Sequence, residues 1–415
     1  MRNALLISTH FPKDSTWMAG IHRRMDAVVQ ALGSVSERVT VLLLVRLESG
    51  YTESQRRDYE EYLSTRWRAQ VSLRLAHVRL PPTDGSRWSG LFGGIFRFHR
   101  TARMRQLDNQ AAIDAVGSAL EERPQIVLMH GLEAMSVLLR LPQEATDGAR
   151  VFFDLYDLDH LVAFRRLLRE PAWPAERLQL LHVPALMAGE RQAIRRADVT
   201  FVCSRKEKVY LDAFVRGEPV RVIANPTAVS ETPLPPTATR TVLFVGSFAY
   251  PPNVHAAERL VTSVWPLIRA QIPNSRLLIV GKDPENIPAF SASSVDQSVT
   301  FAGFVEDIHA CYANSRVVCC PIRVGAGTRV KIIEAAGFAR PVVSTPLGAE
   351  GLEFQDGTEI ILRERDEDLA AACCQLLLDD EQARRIGLAA WERARRVYDR
   401  SAVIGTLAEM FSASA

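Results

Sequence analysis

Three ionisable residues, Arg329, Lys331 and Glu334, follow a pair of glycines in the run V-G-A-G-T-R-V-K-I-I-E-A-A-G-F-A-R-P, from Val324 to Pro341. Gly325 and Gly327 permit a sharp turn and leave backbone amides open to a ligand. An apolar strand, Val317-Val318-Cys319-Cys320-Pro321, precedes them. The spacing predicts a helix from about Thr328 through Ile332, Ile333 and Ala336. Gly337 signals its end, and Pro341 prevents its continuation. Val342-Val343-Ser344 is then the next buried strand. Arg329 and Lys331 thus sit at the start of a helix, behind a glycine loop, beyond the end of a parallel strand. Free N–H groups and the helix dipole favour anions at such a place. Glu334, one turn further in, suits that site if it accepts hydrogen bonds, as from ribose hydroxyls. A plain solvated helical face, with an Arg329–Glu334 or Lys331–Glu334 contact, uses the same residues. This segment alone leaves both readings open.

A second group of candidate residues is D-L-Y-D-L-D-H, Asp154 to His160, at the end of the apolar run Val151-Phe152-Phe153. Asp154, Asp157 and Asp159 with His160 could line a cleft. Asp is also a good N-cap, so capping of the next helix is the competing role. Gly20, just before a predicted helix, and Gly246-Ser247, just after a predicted strand, are turns that a phosphate could approach. Cys203, Cys311, Cys319, Cys320, Cys373 and Cys374 show no C-x-x-C spacing and lie in apolar patterns, which predicts buried free thiols in a reducing compartment. The pattern offers no metal cluster.

The elements that must position these groups read as strand–helix alternation. Ala4–Ser8, Val39–Val45, Val71–Leu80, Ile126–Gly131, Val151–Asp154, Val199–Ser204 and Val220–Ile223 are strands, with a helix over about 21–32. Asn225 to Arg240 is rich in Pro, Thr and Ser without an apolar period, as in an interdomain linker. The pattern restarts at Thr241–Val245, Arg276–Gly281 and Val299–Phe301, and helices over about 367–378 and 381–398 follow. A chain of 415 residues is too long for one ordinary core, and 47% hydrophobic with 24% charged residues is the composition of a globular protein. A net charge of +2 argues against nucleic acid as a partner. The N-terminal apolar run is too short for a signal peptide, and no stretch reaches the ~18 apolar residues of a spanning helix. The expected location is cytoplasmic. Residues 87–105 hold Arg87, Arg97, Arg100, Arg103 and Arg105 among Trp88, Leu91, Phe92, Ile95, Phe96 and Phe98, with no acid. That composition suits a peripheral membrane surface, and equally a helix packing its aromatics inward.

Four segments carry a resemblance: F-V-G-S-F-A-Y-P-P-N-V-H-A-A (Phe244–Ala257), L-L-I-V-G-K-D-P (Leu277–Pro284), F-A-G-F-V-E-D-I (Phe301–Ile308) and the Gly325 to Leu352 run. In order and spacing they resemble the C-terminal domain of family 4 glycosyltransferases, across Thr241 to about Tyr398. The N-terminal half is similar in strand order and in Gly20. The resemblance implies the GT-B fold: two Rossmann-like domains facing each other across a cleft, with a C-terminal helix crossing back to the first. It implies an acceptor-side domain over 1–224, a linker over 225–240, a donor domain over 241–398 and the returning helix over 399–415. It also implies residue roles. Glu334 would hold the donor ribose, and Gly20 would approach the donor diphosphate. Gly246 and Ser247 would lie at the donor. Phe304 and Val305 would hold the base, largely through backbone. Gly325, Ala326 and Gly327 would face the transferred sugar.

Three departures from that family's pattern fall at four positions. Its usual first glutamate is Ala326 here, its usual Arg and Lys clamp on the diphosphate is Ser247 and Asn253, and its usual catalytic-side histidine is Asp154. Arg329 and Lys331 are placed to restore the lost charge. The implied activity is retaining transfer of a sugar from a nucleoside-diphosphate sugar to a saccharide or lipid-linked hydroxyl acceptor, as in bacterial surface-polysaccharide synthesis. No cofactor or metal is expected. Lys331 would stabilise the leaving group, and Asp154 or Asp157 would orient acceptor or sugar hydroxyls. A non-catalytic sugar-nucleotide or partner-binding protein, and a sugar-nucleotide epimerase, are the alternatives on the same fold.

Overall fold

The computed structural model describes residues 2–10, 20–46, 53–78, 93–101, 104–169, 178–291, 296–325 and 327–413. The chain divides into two compact units, one of residues 1–224 with 403–415, the other of residues 225–402.

In the first unit seven parallel strands lie in the order β3-β2-β1-β4-β5-β6-β7. They are Asn3–Ser8 (β1), Arg38–Arg46 (β2), Gln70–Val78 (β3), Ile126–His130 (β4), Arg150–Asp154 (β5), Val199–Val202 (β6) and Val220–Val222 (β7). Parallel strands covered on both faces are apolar throughout, and β4 is buried along its whole length. Alternation still assigns faces. Leu5, Ile7, Val127, Met129 and Phe153 join one cluster, whereas Leu6, Val41, Leu128 and Phe152 join the other. The helices Gly20–Val35 (α1), Glu53–Trp67 (α2), Gln110–Leu120 (α3), Leu132–Leu138 (α4), Asp159–Arg169 (α5), Val183–Arg196 (α6) and Arg205–Phe214 (α7) complete the layers. Strand order reverses between β1 and β4, and in open parallel sheets the strand ends beside such a reversal are where ligands bind.

The second unit repeats the plan with six parallel strands, in the order β10-β9-β8-β11-β12-β13. They are Thr241–Val245 (β8), Arg276–Val280 (β9), Val299–Gly303 (β10), Val317–Cys320 (β11), Val342–Ser344 (β12) and Ile361–Leu362 (β13). The helices are Pro251–Arg259 (α8), Trp265–Gln271 (α9), Ile308–Ala313 (α10), Val330–Gly337 (α11), Asp366–Leu378 (α12) and Asp380–Val397 (α13). Here the reversal lies between β8 and β11, which places the Gly246 turn and the Gly325–Gly327 loop side by side.

Residues 225–240 belong to the second unit. Ser230 Oγ donates to Gly337 O at 2.8 Å, and both terminal nitrogens of Arg340 donate to Pro235 O at 3.0 Å. The last helix, Arg400–Ser412 (α14), returns to the first unit. Val403, Leu407 and Phe411 recur every four residues and enter the cluster around Phe152. Phe411 meets Phe152 edge-on at 4.8 Å. Five of the six cysteines are buried free thiols and Cys311 is half-buried.

Candidate active site

The second unit gathers its candidate residues at the C-terminal ends of β8, β9 and β11. Gly246 N donates to Val280 O at 3.0 Å, and Gly281 N donates to Gly303 O at 2.8 Å, so three strand ends are stitched together. A Cβ on Gly281 would fall 1.6 Å from Gly246 O, which is why that position has no side chain. Asn253, in the first turn of α8, donates from Nδ2 to Ser247 O at 2.9 Å. Its Oδ1 accepts from Lys331 Nζ at 2.7 Å. The same ammonium lies 4.2 Å above the centre of the Phe244 ring, a cation–π contact. Lys331 leaves α11 one residue after its start and crosses to the β8 turn, where its Nζ stands 3.0 Å from the place a Cβ on Gly246 would occupy. Burial pushes the Lys331 pKa down to about 8, Arg329 adds to the fall, and Cys320 and Glu334 oppose it.

Gly325 and Gly327 both take positive φ, at 100° and 79°. A Cβ on Gly325 would come within 2.9 Å of Pro252 and 3.2 Å of the Arg329 guanidinium. Arg329 turns back on this loop and donates to Gly327 O at 2.6 Å. Asn225 Nδ2 donates to Thr328 Oγ1 at 2.6 Å and steadies the loop from the other side. Ala326 lies outside the described residues. Glu334 is 8% exposed and accepts from the Tyr312 hydroxyl at 2.9 Å. Arg329 is buried as well, and Lys331 is half-buried. The solvated helical face is therefore excluded. Phe304 is exposed, with Lys282 Nζ 5.2 Å above its ring, and Val305 is half-buried beside it.

In the first unit the acidic cluster differs from expectation. Asp154 is 0% exposed, and Arg24 of α1 grips its carboxylate: Nε reaches Oδ1 at 2.8 Å and Oδ2 at 3.1 Å, and a terminal nitrogen reaches Oδ1 at 2.6 Å. The other terminal nitrogen of Arg24 donates to Ile223 O at 2.5 Å. Asp154 ends β5 and α5 begins at Asp159, so Asp154 is neither a helix cap nor open to a substrate. A buried carboxylate must be paired, and Arg24 pairs this one. Asp157 is half-buried. Asp159 and His160 are buried in α5, and His160 Nε2 is bonded to the Tyr210 hydroxyl at 2.7 Å. Gly20 is the first residue of α1.

Two groups, Tyr312 and His130, and the part played by Asn253 escaped the sequence reading. Asn253 anchors Lys331, Tyr312 holds Glu334, and His130 ends β4 at the strand reversal. His130 is completely buried, and neither ring nitrogen has a hydrogen-bond partner among the described residues. Its Nε2 is 3.8 Å from Asp154 Oδ2. Tyr156 lies 5.0 Å away ring to ring and His10 6.0 Å away. Burial pushes the His130 pKa down to about 4, so the ring is neutral near pH 7. A lone histidine at the end of an apolar strand was the available signal, at a position the strand order makes special.

Of the 87–105 segment, Arg87, Trp88, Leu91, Phe92 and Arg103 lie outside the described residues. The rest divides. Phe98 is buried against Gly189 in the first unit's core, while Phe96 is 90% exposed beside exposed Arg97 and Arg100. No helix among the described residues is long and apolar enough to cross a membrane.

Known proteins share the fold, and some share part of the sequence. A phosphatidyl-myo-inositol mannosyltransferase of Mycolicibacterium smegmatis is 27% identical over 180 residues, 42% of this chain and 46% of that protein. The chain thus spans about half the length of the curated relatives it matches. The whole chain superposes on a sucrose-phosphate synthase of Thermosynechococcus elongatus with a TM-score of 0.69, at 18% identity and full coverage of both. It also superposes on S. aureus TarM, solved with fondaparinux, α-GlcNAc-glycerol and UDP, with a TM-score of 0.67, at 10% identity over 99% of this chain and 100% of that one. These likenesses give the chain the GT-B fold. Residues 239–379, within the second unit, match the family model described as glycosyl transferases group 1.

Proposed function

We propose that this chain transfers a sugar from a nucleoside-diphosphate sugar to a hydroxyl acceptor, with retention at the anomeric carbon. The observation that carries the reading is the Lys331 ammonium, held by Asn253 over Phe244 at the Gly246 turn. Ser247 and Asn253 stand where the family 4 pattern has its clamp cations, and Lys331 brings a cation to that turn from another helix. A diphosphate there would meet Lys331 and the backbone of the Gly246 turn, with Arg329 beside the Gly325–Gly327 loop. Leaving-group charge that grows in the transition state is then met by fixed positive charge, which lowers the barrier more than it strengthens ground-state binding. Glu334 would accept from the ribose hydroxyls, and Phe304 with Val305 would form one wall at the base. Gly20 would approach the diphosphate, and Asp157 would orient hydroxyls of the acceptor or the sugar. Asp154 is left out, because its carboxylate serves Arg24.

Relatives support the donor and acceptor classes. TarM was solved with UDP, and the mannosyltransferase is named for a phosphatidyl-myo-inositol substrate. A lipid-linked or saccharide acceptor in surface-polysaccharide assembly fits both. The test is release of nucleoside diphosphate from a panel of UDP-, GDP- and ADP-sugars, with and without saccharide and lipid-linked acceptors. Release that depends on an acceptor is the expected result. Tight nucleotide binding with no release under any pairing would instead mean a non-catalytic binding protein.

A further inference from the structure

Glu334 does not orient itself. Its carboxylate is nearly buried, and a buried carboxylate is tolerable only where hydrogen bonds satisfy it. One donor is the phenol of Tyr312, 2.9 Å from Oε2. Tyr312 is itself fixed from several sides. It is completely buried, and its ring stacks on Phe338 at 4.8 Å and 26°. Its carbonyl accepts from Arg340 Nε at 2.7 Å. The helix that carries it, α10, opens directly after the Phe304–Asp307 loop, and Asp307 caps that helix by accepting from Ala310 N at 3.3 Å. One short rigid element therefore joins the loop proposed to hold the base to the carboxylate proposed to hold the ribose.

We propose that Tyr312 is a positioning residue for the donor: its hydroxyl sets the Glu334 carboxylate in the ribose-binding orientation and ties that orientation to the base loop. The proposal rests on the role given to Glu334 above. A glutamate held in advance loses less rotamer freedom on binding, so discrimination in favour of ribose hydroxyls depends on the phenol although the phenol never touches the ligand. Tyr312→Phe removes only the hydroxyl and keeps the stack on Phe338.

The test measures Kd by calorimetry on the full chain for UDP and GDP, each with its 2′-deoxy and 3′-deoxy counterparts, and for pyrophosphate. The parent should prefer the ribonucleotide by roughly tenfold or more, the size of one hydrogen bond to a charged group. Tyr312→Phe should shrink that preference to about threefold or less, leave pyrophosphate affinity unchanged and still melt cooperatively, at a temperature lowered by no more than the loss of one buried hydrogen bond. In a Glu334→Gln background it should add no further loss, because the two act as one unit. A Tyr312→Phe protein that keeps the full preference, while Glu334→Gln loses it, overturns the positioning role and leaves the ribose role standing. A parent without the preference, or a Glu334→Gln protein that retains it, overturns the ribose role and this proposal with it. Loss of preference together with loss of pyrophosphate affinity and of the cooperative melt would also overturn it, since that is general collapse of the unit.

Discussion

Lys331→Met removes one charge and keeps most of the side-chain stem over Phe244. In the structure the ammonium donates to Asn253 Oδ1 at 2.7 Å and stands at the Gly246 turn. If it also meets a donor phosphate, the lost charge-assisted contact costs about 1.5–3 kcal/mol. At 1.4 kcal/mol per factor of ten, that is roughly a ten- to 150-fold rise in Kd for UDP. Uridine lacks phosphates, so its Kd should change by less than about twofold. The pKa of about 8 adds a second signature. The protonated lysine is the form that attracts the anion, so its contribution is present below that pKa and is lost as pH rises through it. Bound diphosphate favours the cation and moves the midpoint upward. The parent's affinity for UDP should therefore fall between about pH 8 and 10, and Lys331→Met should be flat over that range. Titration calorimetry of UDP and uridine from pH 6.5 to 10 reads both effects. Equal losses for UDP and uridine, or a variant with the parent's pH dependence, would show that Lys331 is not at the phosphate.

Glu334→Ala should lower kcat/KM for the donor by about tenfold to thousandfold, as one to three contacts to a charge are lost; unchanged kinetics in a folded variant would remove it from the site. Asp154→Asn should destabilise the first unit by roughly 3 kcal/mol, since it leaves the Arg24 guanidinium buried without its counter-charge; chemical denaturation checks this, and parental stability would refute the ion-pair role. Arg97→Glu with Arg100→Glu should reduce co-sedimentation with anionic vesicles, at about 1 kcal/mol for each arginine near the surface. Salt should weaken the parent's binding in the same assay, and equal sedimentation of parent and variant would refute a membrane role for the face that carries Phe96.

Much of the fold could be read directly. Apolar runs such as Leu5–Ile7 and Val127–Met129 mark strands covered on both faces, and their order with helices between them dictates parallel sheets. The glycine loop before α11 was legible because only glycine takes the φ of Gly325 and Gly327 at little cost. The return of α14 to the first unit was legible only through resemblance. Its periodic Val403, Leu407 and Phe411 announce an apolar face without naming what covers it.

Partnerships were far less legible. Asp154 and Asp157 look alike in D-L-Y-D-L-D-H, yet the last position of β5 buries one beneath Arg24 and leaves the other half-open. Arg24 and Asp154 are 130 positions apart, and Asn253 and Lys331 are 78 apart. Such pairs meet because parallel register aligns the strand ends and the order reverses at β1/β4 and β8/β11. His130 shows the same dependence, since its isolation follows from what the neighbouring strands bring to its ring. Backbone periodicity and glycine conformations are local, so the sequence by itself determined the strands, the turns and the helix start that carries the cations. Which charge is buried, which is paired and which remains to meet a ligand depends on side chains arriving from distant strands, and only the tertiary structure decided that.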